Sequence, residues 1–121
     1  MNPTRLEQLF RLHGDIRRRL APIHVTPSQA GVLLVLRRHA DARVTDAAAA
    51  LGVSQATMSR TVTALVRKQW VTKRRSVKDD RVVVLLLSRR GKVLARQIEQ
   101  VAAPARAYKA SESLRTVVSS R

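Results

Sequence analysis

The sequence predicts a mainly α fold with one small β-hairpin, an α+β chain. Three observations predict it. Apolar residues recur at three-and-four spacing in several segments, the signature of one buried helix face. A lone glycine, Gly52, separates two short segments of that kind. One stretch, residues 70–87, changes to alternating and then β-branched residues around a polar turn.

The elements follow in order. Residues 3–21 carry the stripe Leu6, Leu9, Phe10, His13, Ile16 and Leu20, with Asn2-Pro3 as a cap and first-turn proline and Pro22 as a stop. Thr26 and Gln29 form a capping box around Pro27. The helix they open is apolar nearly all round from Val32 to Leu36, which predicts burial. Val44 is a candidate for a short strand. Thr45 is placed to cap a helix over 46–51, with Asp46 favourable in its first turn. Gly52 then supplies positive φ, Val53 packs, and Ser54 caps the next helix. A hairpin follows, about 70–75 and 81–87, turning through Ser76 to Asp80. Its second strand is apolar on both faces, so a neighbouring segment or a partner should cover one of them. From Ser88 a helix carries Val93, Leu94, Ile98 and Val101. Pro104 should end or bend it before a last helix at about 105–118.

Composition narrows the function. The chain has 121 residues, one domain with a modest core, and few aromatics, so Leu, Val and Ala must fill that core. Its 24 Lys+Arg against 8 Asp+Glu give a net charge of +16, which calls for a polyanion: nucleic acid first, a membrane surface second. There is no cysteine, hence no disulfide, thiolate metal site or thiol switch. No apolar run approaches the roughly 18 residues of a membrane span. The N-terminus lacks the order of a signal peptide, and a cytoplasmic location is expected.

The charge is not spread evenly. Residues 54–92 hold eleven Lys+Arg and two acids, a net of +9 and more than half of the total. Within 54–69 there is no acid. At about 100° per residue, Met58, Val62 and Leu65 fall on one side of that helix. Ala56, Arg60, Thr63 and Arg67 fall opposite, flanked by Gln55, Thr57 and Ser59. Short side chains, amides, hydroxyls and arginine suit a major groove: they permit close approach, read base edges and reach phosphates. A solvated helix face would mix Glu with its Lys and Arg. The hairpin adds Lys73, Arg74, Arg75, Lys78 and Arg81. A helix-turn-helix followed by a basic hairpin is a winged helix.

These segments, "TPSQAGVLLVL", "VTDAAAALGVSQATMSRTVTALVRKQWV" and "KRRSVKDDRVVVLLLSRRGKVL", resemble the MarR-type winged helix-turn-helix regulators. The last contains the wing signature Asp-x-Arg as Asp79-Asp80-Arg81. The resemblance implies that Arg81 enters a minor groove and that Asp79 holds it; Asp80 receives no role. It also implies a homodimer through the end helices 3–21 and 92–118, with Leu6, Leu9, Phe10, Tyr108, Leu114 and Val117 at the interface. The DNA-binding lobe would span 26–90. Expected partners are double-stranded DNA, a second copy of the chain and a possible small-molecule effector. The function implied is a repressor that occludes a palindromic operator. Expected recognition residues are Ser54, Gln55, Ala56, Thr57, Ser59, Arg60 and Thr63. The chain departs from the family at Gln69-Trp70, where a glycine is usual, and at Thr61, where an apolar residue is common.

Other readings carry less. His13, His24 and His39 lack metal-ligand spacing, and no cofactor motif or nucleophile arrangement is legible, so neither a metal site nor an enzyme is expected. Arg17 to Arg19 could touch DNA or line a solvated face. Arg89, Arg90 and Lys92 oppose the dipole of the helix they open, a weak hint of phosphate contact. Two alternatives stay open: a basic protein that binds nucleic acid without sequence preference, and a winged helix used for protein contact.

Overall fold

Local capping fixes where each helix begins. The structure, a computed structural model, describes residues 4–101. Helix α1 runs Arg5–Leu20. Thr4, rather than Asn2-Pro3, caps it: Thr4 Oγ1 accepts the Glu7 amide at 3.1 Å, and the Glu7 carboxylate accepts the Thr4 amide at 2.7 Å. A 3-10 turn, Ala21–Ile23, carries Pro22 and leads to α2, Pro27–Arg38. The predicted Thr26–Gln29 box opens α2, with reciprocal bonds of 3.1 and 3.2 Å. Val32, Leu33, Val35 and Leu36 are buried, as the all-round apolar pattern requires.

Helix α3 spans Val44–Leu51, which corrects two expectations. It begins before Thr45 because the Asp46 carboxylate reaches back to accept the Arg43 amide at 2.9 Å. Thr45 is therefore inside the first turn and does not cap. Val44 is helical and forms no strand. The strand-like contact falls instead at Ala42, whose carbonyl accepts the Leu85 amide at 2.7 Å. Gly52 ends α3 at φ +67°, a left-handed conformation that glycine adopts without a Cβ clash. Helix α4, Gln55–Arg67, follows at once.

Strands β1, Val71–Arg75, and β2, Val83–Leu87, pair antiparallel with Val71 opposite Leu87 and Arg75 opposite Val83. The second strand is two-sided because both faces find cover. Leu85 is fully buried in the core, and Leu87 packs against it. Val84 is buried on the other face, where it shares a shallow cleft with Asp41 and Arg43. A neighbouring segment of the same chain thus supplies the cover. Helix α5 occupies 89–101. The predicted last helix at 105–118 and Pro104 lie outside the described residues.

The core is aliphatic, as composition demands. Leu33, Met58, Leu65, Leu85 and Ile98 are its largest fully buried side chains, drawn from α2, α4, β2 and α5. Helix α1 contributes only Leu20. Its Leu6, Leu9 and Phe10 remain 62%, 57% and 68% exposed.

The link from α4 to β1 explains the missing glycine. Gln69 sits at φ +65°, with its amide donating to Val66 and the Trp70 amide to Leu65. This is a Schellman closure with glutamine in the position that glycine usually fills. A left-handed non-glycine residue costs about 1 kcal/mol or more. Gln69→Gly is therefore expected to raise stability by about 0.5–1 kcal/mol, read as a higher urea midpoint. A lower midpoint would mean that the Gln69 side-chain bond to Arg90, at 3.3 Å, outweighs the backbone strain.

Candidate nucleic-acid interface

The interface is built outward from the inner side of α4. Met58, Val62 and Leu65 are buried, which fixes the rotation of the helix. The N-terminus is fixed too: Ser54 Oγ accepts the Thr57 amide at 3.1 Å. With these anchors set, Gln55, Ala56, Ser59, Arg60 and Thr63 are exposed together on the other side. Thr57 is half-buried, and its Oγ1 accepts the Ser54 hydroxyl at 3.0 Å. Ser54 and Thr57 thus spend part of their hydrogen-bonding capacity on each other, and the outward face is carried by the other five. Thr61 fits its apolar-looking position because its hydroxyl donates to the Thr57 carbonyl at 3.1 Å.

Behind α4 the chain enters the hairpin. Lys68 Nζ lies 4.7 Å above the Trp70 ring, a cation–π contact at the foot of β1. The loop 76–82 is closed by backbone bonds. Ser76 donates to the Val82 carbonyl at 2.7 Å, and Val82 donates to the Asp79 carbonyl at 2.9 Å. At its tip, Arg81 and Asp79 form a bidentate pair, Nε to Oδ1 at 3.1 Å and Nη2 to Oδ2 at 3.2 Å. The Arg81 amide also donates to Oδ1, at 3.0 Å. The Arg81 side chain is 86% exposed, so the pair aims the guanidinium into solvent rather than burying it. The bonds from the Arg81 side chain and then from its amide hold the Asp79 carboxyl below the usual carboxylate range. A carboxylate lowered in this way keeps its contribution above the ordinary value and loses it only as pH falls through the lowered one.

Not all the basic side chains assigned to the hairpin are equally free. Lys73 and Lys78 are exposed. Arg74 reaches Asp41 at 3.4 Å, and Arg75 donates to the Asp80 carbonyl at 2.7 Å. Asp41 and Arg43 were not singled out in the sequence, yet Arg43 pairs with Asp46 at 3.4 Å beside the wing. The bonds from the Arg43 amide, then from its side chain, lower the Asp46 carboxyl. Residues 26–90 hold four acids, and three of them carry an arginine partner. The surface beside α4 is thereby left with little uncompensated negative charge. Only the pairing across chain segments was invisible in the sequence, which shows no local spacing for Arg74–Asp41.

The expected dimer residues divide in two. Leu6, Leu9 and Phe10 form an exposed apolar stripe on α1. Tyr108, Leu114 and Val117 lie outside the described residues. Among the described residues no helix is long and apolar enough to cross a membrane.

Comparison with known proteins gives consistent results. The MarR family model matches residues 25–82. No curated protein matches the chain. Among solved structures, the transcriptional repressor CouR bound to a 23-mer DNA duplex is similar at 25% identity and a TM-score of 0.77; the match covers 87% of this chain and 74% of that one. Apo MarR from E. coli is similar at 22% identity and a TM-score of 0.75, covering 91% of this chain and 85% of that one. A mutant of E. coli MarR complexed with operator DNA is similar at 23% identity and a TM-score of 0.72, covering 86% and 78%. The capped α3–Gly52–α4 joint and the hairpin that follows it make this a winged helix-turn-helix fold, and residues 25–82 of it are similar to the MarR family.

Proposed function

We propose that this DNA-binding transcriptional regulator is a repressor that occludes a palindromic operator as a homodimer. The observation that carries the reading is the outward face of α4. Gln55, Ala56, Ser59, Arg60 and Thr63 are exposed there without an acid among them, while Met58, Val62 and Leu65 bury the opposite side. Gln55 and Arg60 would read base edges, Ser54, Thr57 and Ser59 would reach phosphates, and Ala56 lets the helix approach. On the wing, Arg81 would enter the minor groove, where a narrow width deepens the negative potential, and Lys73 and Lys78 would hold the backbone.

A dimer follows from the apolar stripe of α1. Among the described residues Leu6, Leu9 and Phe10 stay largely exposed, and a second copy would bury them. On this reading residues 26–90 are the DNA-binding lobe and 3–21 with 92–118 the dimer helices. Two recognition helices would then meet half-sites about one helical turn apart. CouR is a repressor and was solved on a 23-mer duplex, long enough for two such half-sites. The protein would work in the cytoplasm, with its DNA. Relief by a small effector is also proposed. An apolar cavity of about 230 Å³ lies between α1, α2 and α5, lined by Ile16, Leu20, Ala30, Leu34 and Ile98. It is smaller than ordinary ligand pockets of about 300 Å³ and more, so it suits one small apolar ring.

Selection of bound fragments from randomised duplex DNA tests the reading. The expected result is a two-fold symmetric consensus that retains binding over scrambled DNA as salt rises. Equal loss of binding to both, with no consensus, would make the chain a non-specific basic protein.

A further inference from the structure

We propose that Arg75 is a positioning residue that fastens the wing loop across its mouth, acting on the Asp80 carbonyl rather than on DNA. The inference rests on the reading of the wing as a DNA contact and refines it. From the sequence, Arg75 is one of five equivalent basic residues on the hairpin. In the fold it differs from the others. It is the last residue of β1, paired with Val83 across the mouth of the loop. Its Nη1 donates to the backbone carbonyl of Asp80 at 2.7 Å. That carbonyl lies between Asp79 and Arg81, the two residues of the bidentate pair.

The loop needs such a tie. Residues 76–82 close on themselves through the Ser76–Val82 and Val82–Asp79 backbone bonds and the 3.2 Å bond from the Lys78 amide to Ser76 Oγ. None of these bonds touches the amide or carbonyl of Asp80. Arg75 supplies that anchor with a charged donor, which makes a shorter and stronger hydrogen bond than a neutral one. The anchored peptide carries Arg81 directly after it. Fixing it removes conformations that Arg81 would otherwise lose on entering a groove, so the contribution is to preorganisation. The Nη1 donor spent on the Asp80 carbonyl is one that a phosphate contact through the same nitrogen would have to displace.

The two roles separate experimentally in the full chain. In Arg75→Gln, operator affinity is expected to fall about three- to tenfold, a modest loss because the bond is exposed. The dependence of affinity on salt should stay as in the parent, since no phosphate partner has been removed. Arg81→Ala should reduce the salt slope by about one unit per half-site. Added to Arg81→Ala, Arg75→Gln should cost almost nothing further, because the residue it positions is gone. A second readout needs no DNA: trypsin should cut after Lys78 and Arg81 faster in Arg75→Gln than in the parent, at unchanged thermal midpoint. A salt slope reduced by about one unit in Arg75→Gln, with losses that add to those of Arg81→Ala, would make Arg75 a phosphate contact and overturn the proposal. Unchanged tryptic cleavage would overturn it as well. Failure of the parent to prefer its operator would sink the regulator reading instead, and the tryptic comparison would still decide whether Arg75 holds the loop.

Discussion

Gly91→Ala is expected to cost about 3 kcal/mol or more and to leave little folded protein at 37 °C. A Cβ at position 91 would lie 2.0 Å from the Trp70 carbonyl oxygen and 3.0 Å from its carbonyl carbon. Those are backbone atoms, so no rotamer change relieves the contact. The backbone there is also in use. The Ser88 amide donates to the same Trp70 carbonyl at 3.0 Å. Ser88 Oγ donates to the Gln69 carbonyl at 2.6 Å and accepts the Gly91 amide at 3.0 Å. One small cluster thus joins the end of α4, the start of β1 and the first turn of α5. Pushing Trp70 away breaks that junction, and the wing loses its fixed relation to both helices. Urea unfolding monitored by the fluorescence of the single tryptophan measures the loss directly. A change below about 1 kcal/mol would show that the α5 turn and the Trp70 peptide do not approach this closely in solution.

Leu65→Ala is the second large effect, and it separates the two sides of α4. Leu65 is fully buried among residues of the core. Truncating such a leucine removes its transfer free energy and leaves a cavity, about 2–5 kcal/mol together. The expected result is a lower urea midpoint, with DNA binding lost in proportion to the unfolded fraction. Thr63→Ala, two residues away on the exposed side, should change stability by no more than about 0.5 kcal/mol. A small effect at Leu65 and a large one at Thr63 would mean that the helix is rotated from the orientation described.

Much of this organisation was legible in the sequence, because it is local. The Thr26–Gln29 box, the glycine joint at Gly52, the Ser54 cap and the apolar positions 58, 62 and 65 each depend on residues within a turn or two. The hairpin was legible from its β-branched run. The start of α3 was misplaced because an acid at the third helical position can define a helix by reaching backward, and Thr45 looked like the better cap. The bridge from Ala42 to Leu85, the Arg74–Asp41 pair and the Arg75–Asp80 bond involve partners that only the fold brings together. For the same reason five basic residues of the hairpin read as equivalent, although Arg74, Arg75 and Arg81 have partners within the chain. The left-handed turn at Gln69 was hidden because the sequence offers no glycine or asparagine to mark it.

The central claim is that the exposed flank of α4 faces the bases of a specific site. The most direct test compares Arg60→Ala with the parent on operator duplexes altered at one base pair at a time. Discrimination should relax at one position in each half-site, with about 1–3 kcal/mol lost on the intact operator and the other positions unaffected. A uniform drop on every duplex would place Arg60 on a phosphate and contradict the claim.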